Sequence, residues 1–278
     1  MKHIFDNFSY KASKLVTNQY STSFSFSTRL LSSSIRPAIY SIYGLVRLAD
    51  EIVDSFHNYD KKMLLKKLKA DYQNAIEDGI SLNPILNSFQ QVYKKYNFTP
   101  ELVESFFQSM EMDLEPEIYD EKLYNQYIYG SAEVVGLMCL KVFTKGNEKQ
   151  YQNLKPSAMK LGSAFQKVNF LRDIEYDNSH LGRTYFPNID LNKITTRQKN
   201  DIIADIEIDF NDALVGLKKL DKDSYFGVYI AFKYYKELLN KIKKVNMVKL
   251  RKERIRVSNF RKISLILNSL IRLNLRLL

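Results

Sequence analysis

The chain has 278 residues, 45% of them hydrophobic and 26% charged, which is typical of a globular protein and excludes a disordered or fibrous one. Its single cysteine, Cys139, cannot form a disulfide within the chain, so we expect a reducing, cytoplasmic setting. The N-terminus lacks the apolar core of a signal peptide, and no apolar run reaches the length of a transmembrane helix, so neither is expected.

Helical periodicity dominates the sequence, and only 9 glycines and 6 prolines interrupt it. The first strongly periodic helix is predicted to start after serines 32–34, which can cap it, with Pro37 in its first turn. Asn83-Pro84 and Thr99-Pro100 are further helix-start signals. The other predicted helices are Lys61–Asp78, Pro100–Leu114, Glu121–Phe143, Ser157–Asp177, Thr195–Leu217 and Tyr225–Leu250. Since no strand alternation persists and no flexible linker interrupts the chain, we predict one all-α domain over residues 1–278.

The excess positive charge lies in the C-terminal segment 241–278, which holds 12 lysines and arginines and one acid, Glu253. This excess of 11 equals the net charge of the whole chain, so the rest is neutral. Part of the segment can form an amphipathic helix whose apolar stripe is Ile263, Leu267, Leu270 and Ile271. A basic amphipathic helix is typical of contact with an anionic membrane surface, and the alternative is a terminal helix packed on the body. Nucleic acid is disfavoured because the segment has one aromatic, Phe260, and no known nucleic-acid-binding motif.

Two pairs of aspartates, Asp50 with Asp54 and Asp173 with Asp177, share the spacing i, i+4 and lie in apolar helical sequence. On a helix this spacing places both carboxylates on one face. Carboxylate oxygens are hard ligands for Mg²⁺, which completes its coordination with water and substrate phosphate. Two such faces across a pocket can therefore hold a diphosphate through metal ions. The alternative, for a single pair the commoner one, is a solvated face of salt bridges.

Several polar residues accompany the two pairs. Asn169 and Gln166 lie one and two turns before Asp173, where neutral amides can orient water or phosphate. Arg47 precedes Asp50 by three residues, and its guanidinium can bind a phosphate oxygen pair. Arg183 and Tyr185 follow the second pair in a predicted loop, where they can cover a bound phosphate.

Two further segments have mixed chemistry. The run from Tyr20 to Ser27 is rich in hydroxyls, which indicates either a helix cap or neutral donors for a diphosphate. The run Tyr124–Gly136 combines aromatic and small residues, which can leave room for a long apolar ligand and stabilise a carbocation by cation–π attraction. Ordinary core packing is the alternative explanation for most of these aromatics.

These motifs together resemble the squalene and phytoene synthases. Residues 43–54 are similar to the first aspartate-rich motif of that family, and residues 166–177 followed by 182–187 are similar to the second. Shorter similarities are Ser21–Phe24, Met112-Asp113-Leu114, Tyr127–Gly136 and Arg254–Ser258. The resemblance spans nearly the whole chain in the family's order.

The resemblance implies an all-α class I isoprenoid synthase fold, a single-domain helical bundle around a central cavity. It implies a prenyltransferase that condenses two allylic diphosphates head to head through a cyclopropylcarbinyl diphosphate, with Mg²⁺, or Mn²⁺, as the cofactor. The leading expectation is phytoene synthase acting on two geranylgeranyl diphosphates, for which no NADPH is expected. The alternatives are a squalene or dehydrosqualene synthase acting on farnesyl diphosphate, and a non-catalytic relative that acts in assembly or lipid binding. A peripheral place on the inner face of the membrane fits an insoluble product, and no nucleic-acid partner is expected.

The family's roles are carried over to matching positions. The implied metal ligands are Asp50, Asp54, Asn169, Asp173 and Asp177. The implied substrate contacts are Tyr20, Ser21, Thr22, Ser23, Phe24, Tyr43, Arg47, Gln166, Asn169, Arg183 and Tyr185. The implied catalytic residues are the four outer aspartates, Arg47 and Tyr129, the last as a cavity tyrosine. Three departures from the family pattern are Glu51, the middle residues Glu175-Tyr176, and Glu133 in place of a small residue, which either narrows the cavity or points away from it.

Overall fold

The computed structural model of the protein describes residues 1–115, 119–179, 181, 183–187, 189 and 194–274, with side chains except at 178, 179 and 272–274. Within these residues it contains helices and no β-strand, as predicted. The helices are α1 (Lys2–Tyr20), α2 (Thr22–Arg29), α3 (Arg36–Ser55), α4 (Lys61–Asp78), α5 (Pro84–Lys95), α6 (Pro100–Met112), α7 (Glu121–Ile128), α8 (Val134–Phe143), α9 (Glu148–Ser179), α10 (Thr196–Leu217), α11 (Lys222–Lys244), α12 (Met247–Leu250) and α13 (Asn259–Asn274).

Local sequence signals set many of these boundaries. Helix α4 has the predicted limits, because the Asp60 side chain accepts a hydrogen bond from the Met63 amide and Gly79 ends the helix with φ of 71°. Asn83 caps α5 in the same way. Thr195 and Gln198 form a reciprocal capping box at the start of α10.

Other boundaries differ from the prediction. The predicted helix 121–143 is interrupted by a π-helical turn, Tyr129–Glu133, between α7 and α8. Helix α9 starts at Glu148 and contains Pro156, so it is longer than predicted, and α6 stops at Met112. The predicted helix 225–250 breaks at Val245, whose backbone is extended, before the short α12.

The predicted serine cap of α3 is absent. Its N-cap is Ile35, without a side-chain hydrogen bond, and Ser32 and Ser34 bond to each other through their hydroxyls, 2.7 Å apart. Pro37 lies in the first turn of α3, as predicted.

Helix α1 was not predicted, because the residues it buries are small and polar. Ser9, Ser13 and Thr17 recur every four residues and are fully buried against α3 and α5. The Ser13 and Ser88 hydroxyl oxygens lie 2.7 Å apart. A Cβ added at Gly44 of α3 would lie 2.9 Å from the Ser13 hydroxyl oxygen, so the small residues permit this close approach.

Helix α9, 32 residues long, lies at the centre of the bundle and packs against α7, α8, α10, α11 and the π turn. A cavity of about 240 Å³ lies beside it, as expected for a helical bundle around a central cavity. Its walls are almost entirely apolar or small and come from α2, α3, the π turn and helices α8–α11; representative residues are Phe24, Ile39, Val135, Cys139, Phe165, Gln166, Gly216 and Val228. The helices that form the cavity therefore also carry the polar motifs.

Candidate functional site

The two aspartate pairs lie on α3 and α9. Helix α3 buries Leu45, Ala49, Ile52 and Val53, which fixes its orientation. Asp50 and Asp54 lie on another face of α3, and their side chains are 35% and 33% exposed. The first pair therefore forms part of a wall that solvent and ligands can reach, whereas the Asp173 side chain of the second pair is 16% exposed.

Arg183 connects the two pairs. Its Nη1 donates to Asp54 Oδ1 over 2.8 Å, and its backbone amide donates to the Asp177 carbonyl over 2.9 Å. Its Nη2 donates to the carbonyl oxygens of Val53 and Asp113 over 3.3 and 2.9 Å. The buried guanidinium is thus held by the end of α3 and by the residue that follows α6.

Asp113 is a fifth acid in this site that the candidate set omitted. It is buried, and Arg183 Nε lies 3.3 Å from its Oδ1. Tyr127 and Tyr185 donate from their hydroxyls to Asp113 over 2.9 and 3.2 Å. The one sequence signal was the family similarity of Met112-Asp113-Leu114, because an isolated aspartate has no spacing pattern. Tyr185, expected to cover a phosphate, is buried and holds Asp113.

Burial and mutual repulsion perturb these carboxyl groups. Desolvation, followed by the charge of Asp54, raises the pKa of Asp50 to about 7 even though part of its side chain is exposed. Desolvation also raises the pKa of Asp113 to about 6, against the favourable charge of Arg183. The pKa of Asp177 rises to about 8, first by desolvation and then by the charge of Asp173, with smaller contributions from Asp54 and Asp113. The two pairs therefore share one electrostatic environment.

Asp173 is held between two arginines. Arg172 binds it bidentately, with Nε–Oδ1 and Nη2–Oδ2 distances of 2.9 and 2.5 Å. Arg254 approaches from the segment after α12, with an Nε–Oδ1 distance of 2.7 Å. Arg172 and Arg254 therefore both belong to the site, although the candidate set omitted them.

Arg47 lies on α3, next to the first pair. It forms an ion pair with Glu51 and lies 3.8 Å from Asp50, measured from Nη1 to Oδ2. Its guanidinium carbon is 4.4 Å from the centre of the Tyr20 ring, a cation–π contact. Glu51, a departure from the family pattern, thus orients Arg47.

Residues of the hydroxyl-rich run serve two different purposes, helix capping and lining of the cavity. Ser21 caps α2 by accepting from the Phe24 amide over 3.1 Å, which is the capping role foreseen for this run. The Phe24 ring stacks on Tyr43 at 4.5 Å and also lines the cavity. Thr22 is exposed and accepts a hydrogen bond from Lys262, and Ser23 is half-buried.

Residues on one face of α9 connect the aspartates to the cavity. Gln166 lines the cavity and donates to Ser131 over 3.2 Å. Asn169, one turn on, accepts from the Tyr235 hydroxyl over 3.3 Å. Tyr129 begins the π turn and is half-buried, and the cavity wall on that turn begins at Ser131.

Comparison with known proteins decides the family. The sequence model of the squalene/phytoene synthase family matches residues 17–261. The chain belongs to the squalene/phytoene synthase family. Among its relatives, the 4,4'-diapophytoene synthase of Staphylococcus haemolyticus is 26% identical over 203 residues, which are 70% of this chain and 68% of that protein. The chloroplastic phytoene synthase 1 of Zea mays is 25% identical and is matched over 82% of this chain and 60% of its own length.

A solved structure supports the same fold. A dehydrosqualene synthase crystallised with a ligand superposes with a TM-score of 0.81 at 21% identity, over 97% of this chain and 98% of that one. The predicted family and the isoprenoid synthase helical fold are therefore confirmed.

Glu133, the departure that put cavity size in question for this squalene/phytoene synthase relative, is not among the cavity-lining residues. It interacts electrostatically with Lys160, Asp209 and Lys167 at the interface of α9 and α10. Asp209 is buried there, and accepts from Lys160 and Lys167 over 2.7 Å each. Glu133 therefore belongs to a charged interface between helices and does not narrow the cavity.

The donor set fits a hard divalent cation such as Mg²⁺. Asp50, Asp113 and Asp177 are oxygen donors whose pKa values are raised first by desolvation and then by neighbouring carboxylates, and a cation would relieve both costs of the charged form. No three His, Cys, Asp or Glu residues within the described ranges are close enough to form a metal site by themselves. This is compatible with Mg²⁺, which usually binds through one or two carboxylates together with water and substrate phosphate.

Proposed function

We propose that this family member condenses two allylic prenyl diphosphates head to head. The observation that carries the proposal is the position of the two aspartate pairs and Arg183 next to an apolar cavity, with Gln166 and Asn169 between them on α9. A diphosphate needs charged and polar partners, whereas a prenyl chain needs an apolar space, and here the two environments are adjacent.

The polar half would bind and orient the diphosphate groups. Arg47 supplies forked N–H donors suited to phosphate oxygens, and Asn169 and Gln166 supply neutral amides. Arg183, whose buried guanidinium is already bonded to Asp54 and to two backbone carbonyls, would position the first aspartate pair rather than contact the phosphates. Asp50, Asp54, Asp173 and Asp177, with Asn169, would hold Mg²⁺, or Mn²⁺, which would supply Lewis-acid stabilisation of the departing diphosphate. Ion pairs such as Arg254 with Asp173 keep the carboxylates positioned before substrate binds.

The apolar half would exclude water from an allylic cation and orient the attacking double bond of the second chain. Aromatic rings at the boundary, the Phe24–Tyr43 and Phe165–Tyr235 pairs, can stabilise positive charge, each ring by about 0.5–2 kcal/mol. The first condensation would release one diphosphate and one proton and would form a cyclopropylcarbinyl diphosphate as an intermediate. This intermediate would lose the second diphosphate, rearrange, and lose a proton to give the hydrocarbon. The catalytic role of Tyr129 as a cavity tyrosine stays a proposal that rests on the family resemblance, because the cavity wall on the π turn begins at Ser131.

We propose geranylgeranyl diphosphate as the substrate and phytoene as the product, which needs no NADPH. The similarity to a phytoene synthase over 82% of the chain supports this assignment. Farnesyl diphosphate is the second candidate, kept open by the similarity to a diapophytoene synthase. The chain matches 60% of the length of the phytoene synthase and 68% of the length of the diapophytoene synthase.

The experiment is to incubate the purified protein with Mg²⁺ or Mn²⁺ and each diphosphate, with and without NADPH, and to identify the hydrocarbon. Phytoene from geranylgeranyl diphosphate without NADPH is expected. A hydrocarbon formed only from farnesyl diphosphate, or only with NADPH, would replace the phytoene assignment. No consumption of either diphosphate would reject the condensation and favour the non-catalytic relative.

We also propose that the protein acts in the cytoplasm, at the inner face of the membrane, as the single cysteine and the insoluble product suggested. None of the described helices is both long and apolar enough to cross a bilayer. Any membrane contact by these helices would therefore be peripheral.

A further inference from the structure

Helix α13 is apolar on two opposite faces, and the body covers only one of them. Leu265, Ile266 and Ser269 are buried, on the side that packs against α11. The opposite side, here called the outer face, consists of Phe260, Ile263, Leu267, Leu270 and Ile271. The predicted apolar stripe is therefore exposed, and a different set of residues makes the packing contact.

The outer face is unusually exposed for apolar residues. Phe260 is 82% exposed, Leu267 is 54% and Ile271 is 56%. Single exposed apolar side chains are ordinary on protein surfaces, but a continuous row along about three turns of one helix marks a contact site. Packing alone therefore does not account for this sequence.

The charge around α13 identifies the partner. The segment that contains it, 241–278, carries 12 basic residues and one acid. Lys252 and Arg256, just before α13, are exposed and form no ion pair with any described residue. A second copy of the chain would bring the same positive charge to the interface and be repelled, whereas an anionic lipid surface attracts it.

Helix α13 also lies next to the cavity walls. It packs against α11, and Lys262 Nζ donates to the Thr22 hydroxyl on α2 over 3.1 Å. Helices α2 and α11 both line the cavity. A lipid surface bound at α13 would therefore be close to the apolar chamber.

We propose that the outer face of α13 binds the surface of an anionic lipid membrane. The helix lies in the plane of the interface, with its outer apolar side chains between the lipid headgroups and the basic residues of the segment near lipid phosphates. This deepens the proposed function, since a hydrocarbon product would leave next to lipid, but the surface itself is independent of turnover.

The test uses the full-length chain and co-sedimentation with vesicles. Phosphatidylcholine vesicles are compared with vesicles that contain phosphatidylglycerol, at low and high salt. The outer-face variant carries Phe260→Ser, Ile263→Ser and Leu267→Ser. The matched control carries Ile4→Ser, Phe8→Ser and Leu15→Ser, which removes three equally exposed apolar residues from α1.

We expect the wild type and the α1 control to bind anionic vesicles in a salt-sensitive way, and the outer-face variant to bind at least about tenfold more weakly. Equal binding by both variants, equal loss in both, or no binding of the wild type to anionic vesicles would overturn the proposal, the last result favouring a protein partner. Turnover in detergent is measured in parallel. If the wild type binds vesicles but shows no turnover, only the proposed reaction is rejected. If the wild type shows turnover but does not bind anionic vesicles, only the membrane surface is rejected.

Discussion

Arg183 Nη1 lies 2.8 Å from Asp54 Oδ1, although 129 residues separate the two positions in sequence. The same guanidinium donates to the backbone carbonyls of Val53 and Asp113. Since the Arg183 amide also bonds to the Asp177 carbonyl, this one residue joins both aspartate pairs and the buried Asp113. The separation between the two acidic faces therefore depends on a residue of the loop after α9.

Replacing Arg183 should impair both turnover and stability. Arg183→Lys keeps the charge but loses the planar fork, so we expect turnover to fall roughly 100-fold. Arg183→Ala leaves Asp113 buried without its cation, and we expect the free energy of unfolding to fall by about 3 kcal/mol. Steady-state kinetics and urea unfolding measure the two effects. The exposed Arg197→Lys is the matched control, and a turnover for Arg183→Lys within twofold of that control would contradict this role.

The acidic pairs predict a separation between activity and folding. Asp50→Asn and Asp173→Asn should each abolish turnover because each removes a charged oxygen donor from the diphosphate site. Asp50→Asn should fold at least as stably as the wild type. Burial and then the charge of Asp54 raise the pKa of Asp50 to about 7, and a neutral amide avoids both the desolvation of a charge and the repulsion by Asp54. Circular dichroism melting and product analysis separate the two properties.

The thermal shift produced by Mg²⁺ with inorganic diphosphate provides a readout that does not depend on turnover. The shift should appear in the wild type and in the exposed control Asp201→Asn, and it should be lost in Asp50→Asn. Full activity in either pair variant would remove the metal mechanism.

The sequence predicted the helical class and the site motifs because both depend on short-range spacing. The pairs on α3 and α9, and the capped helix α4, follow from patterns within a few turns of helix. Helix α1 could not be predicted this way, because its buried stripe of Ser9, Ser13 and Thr17 has the opposite polarity from the pattern sought. Its burial depends on small residues of α3 and α5 that are distant in sequence.

Long-range polar contacts were also beyond sequence reasoning. The family similarity of Met112-Asp113-Leu114 pointed to Asp113, but its place in the site depends on Tyr127, Tyr185 and Arg183, which approach it from other parts of the chain. Arg254 was noted as part of a terminal motif, but its ion pair with Asp173 requires the segment after α12 to fold back onto α9. The apolar stripe of α13 was correct as a pattern, but its exposed orientation is a property of the packed structure.

Glu133 should make stability depend on pH. Desolvation, partly offset by Lys160, raises the pKa of Glu133 from 4.5 to about 7, so between these pH values the folded state holds a proton that the unfolded state has lost. The free energy of unfolding therefore decreases as pH rises from about 4.5 through 7. Glu133→Gln removes this loss, and we expect it to exceed the wild type by about 1 kcal/mol at pH 8, reduced for solvent screening, and to match it near pH 4.

Urea unfolding at several pH values measures this difference, with the exposed Glu253→Gln as the control. A difference between Glu133→Gln and the wild type that is the same at pH 4 and pH 8 would show that Glu133 ionises normally in the folded protein.

Cys139 offers a way to change cavity length without touching the polar site. It lines the cavity, and burial raises the pKa of its thiol to about 12, so it should react slowly with iodoacetamide at pH 8. Cys139→Phe places a ring into space that the prenyl chains would occupy. We expect turnover of geranylgeranyl diphosphate to fall more than turnover of farnesyl diphosphate, because the longer chain needs more of the cavity.

Cys139→Ala, which adds no volume, should leave the ratio of the two turnover rates unchanged. Melting temperatures of both variants check that the ring is accommodated without unfolding the bundle. If Cys139→Phe and Cys139→Ala give the same ratio, the prenyl chains do not extend along α8, and the hydrocarbon must occupy another part of the bundle.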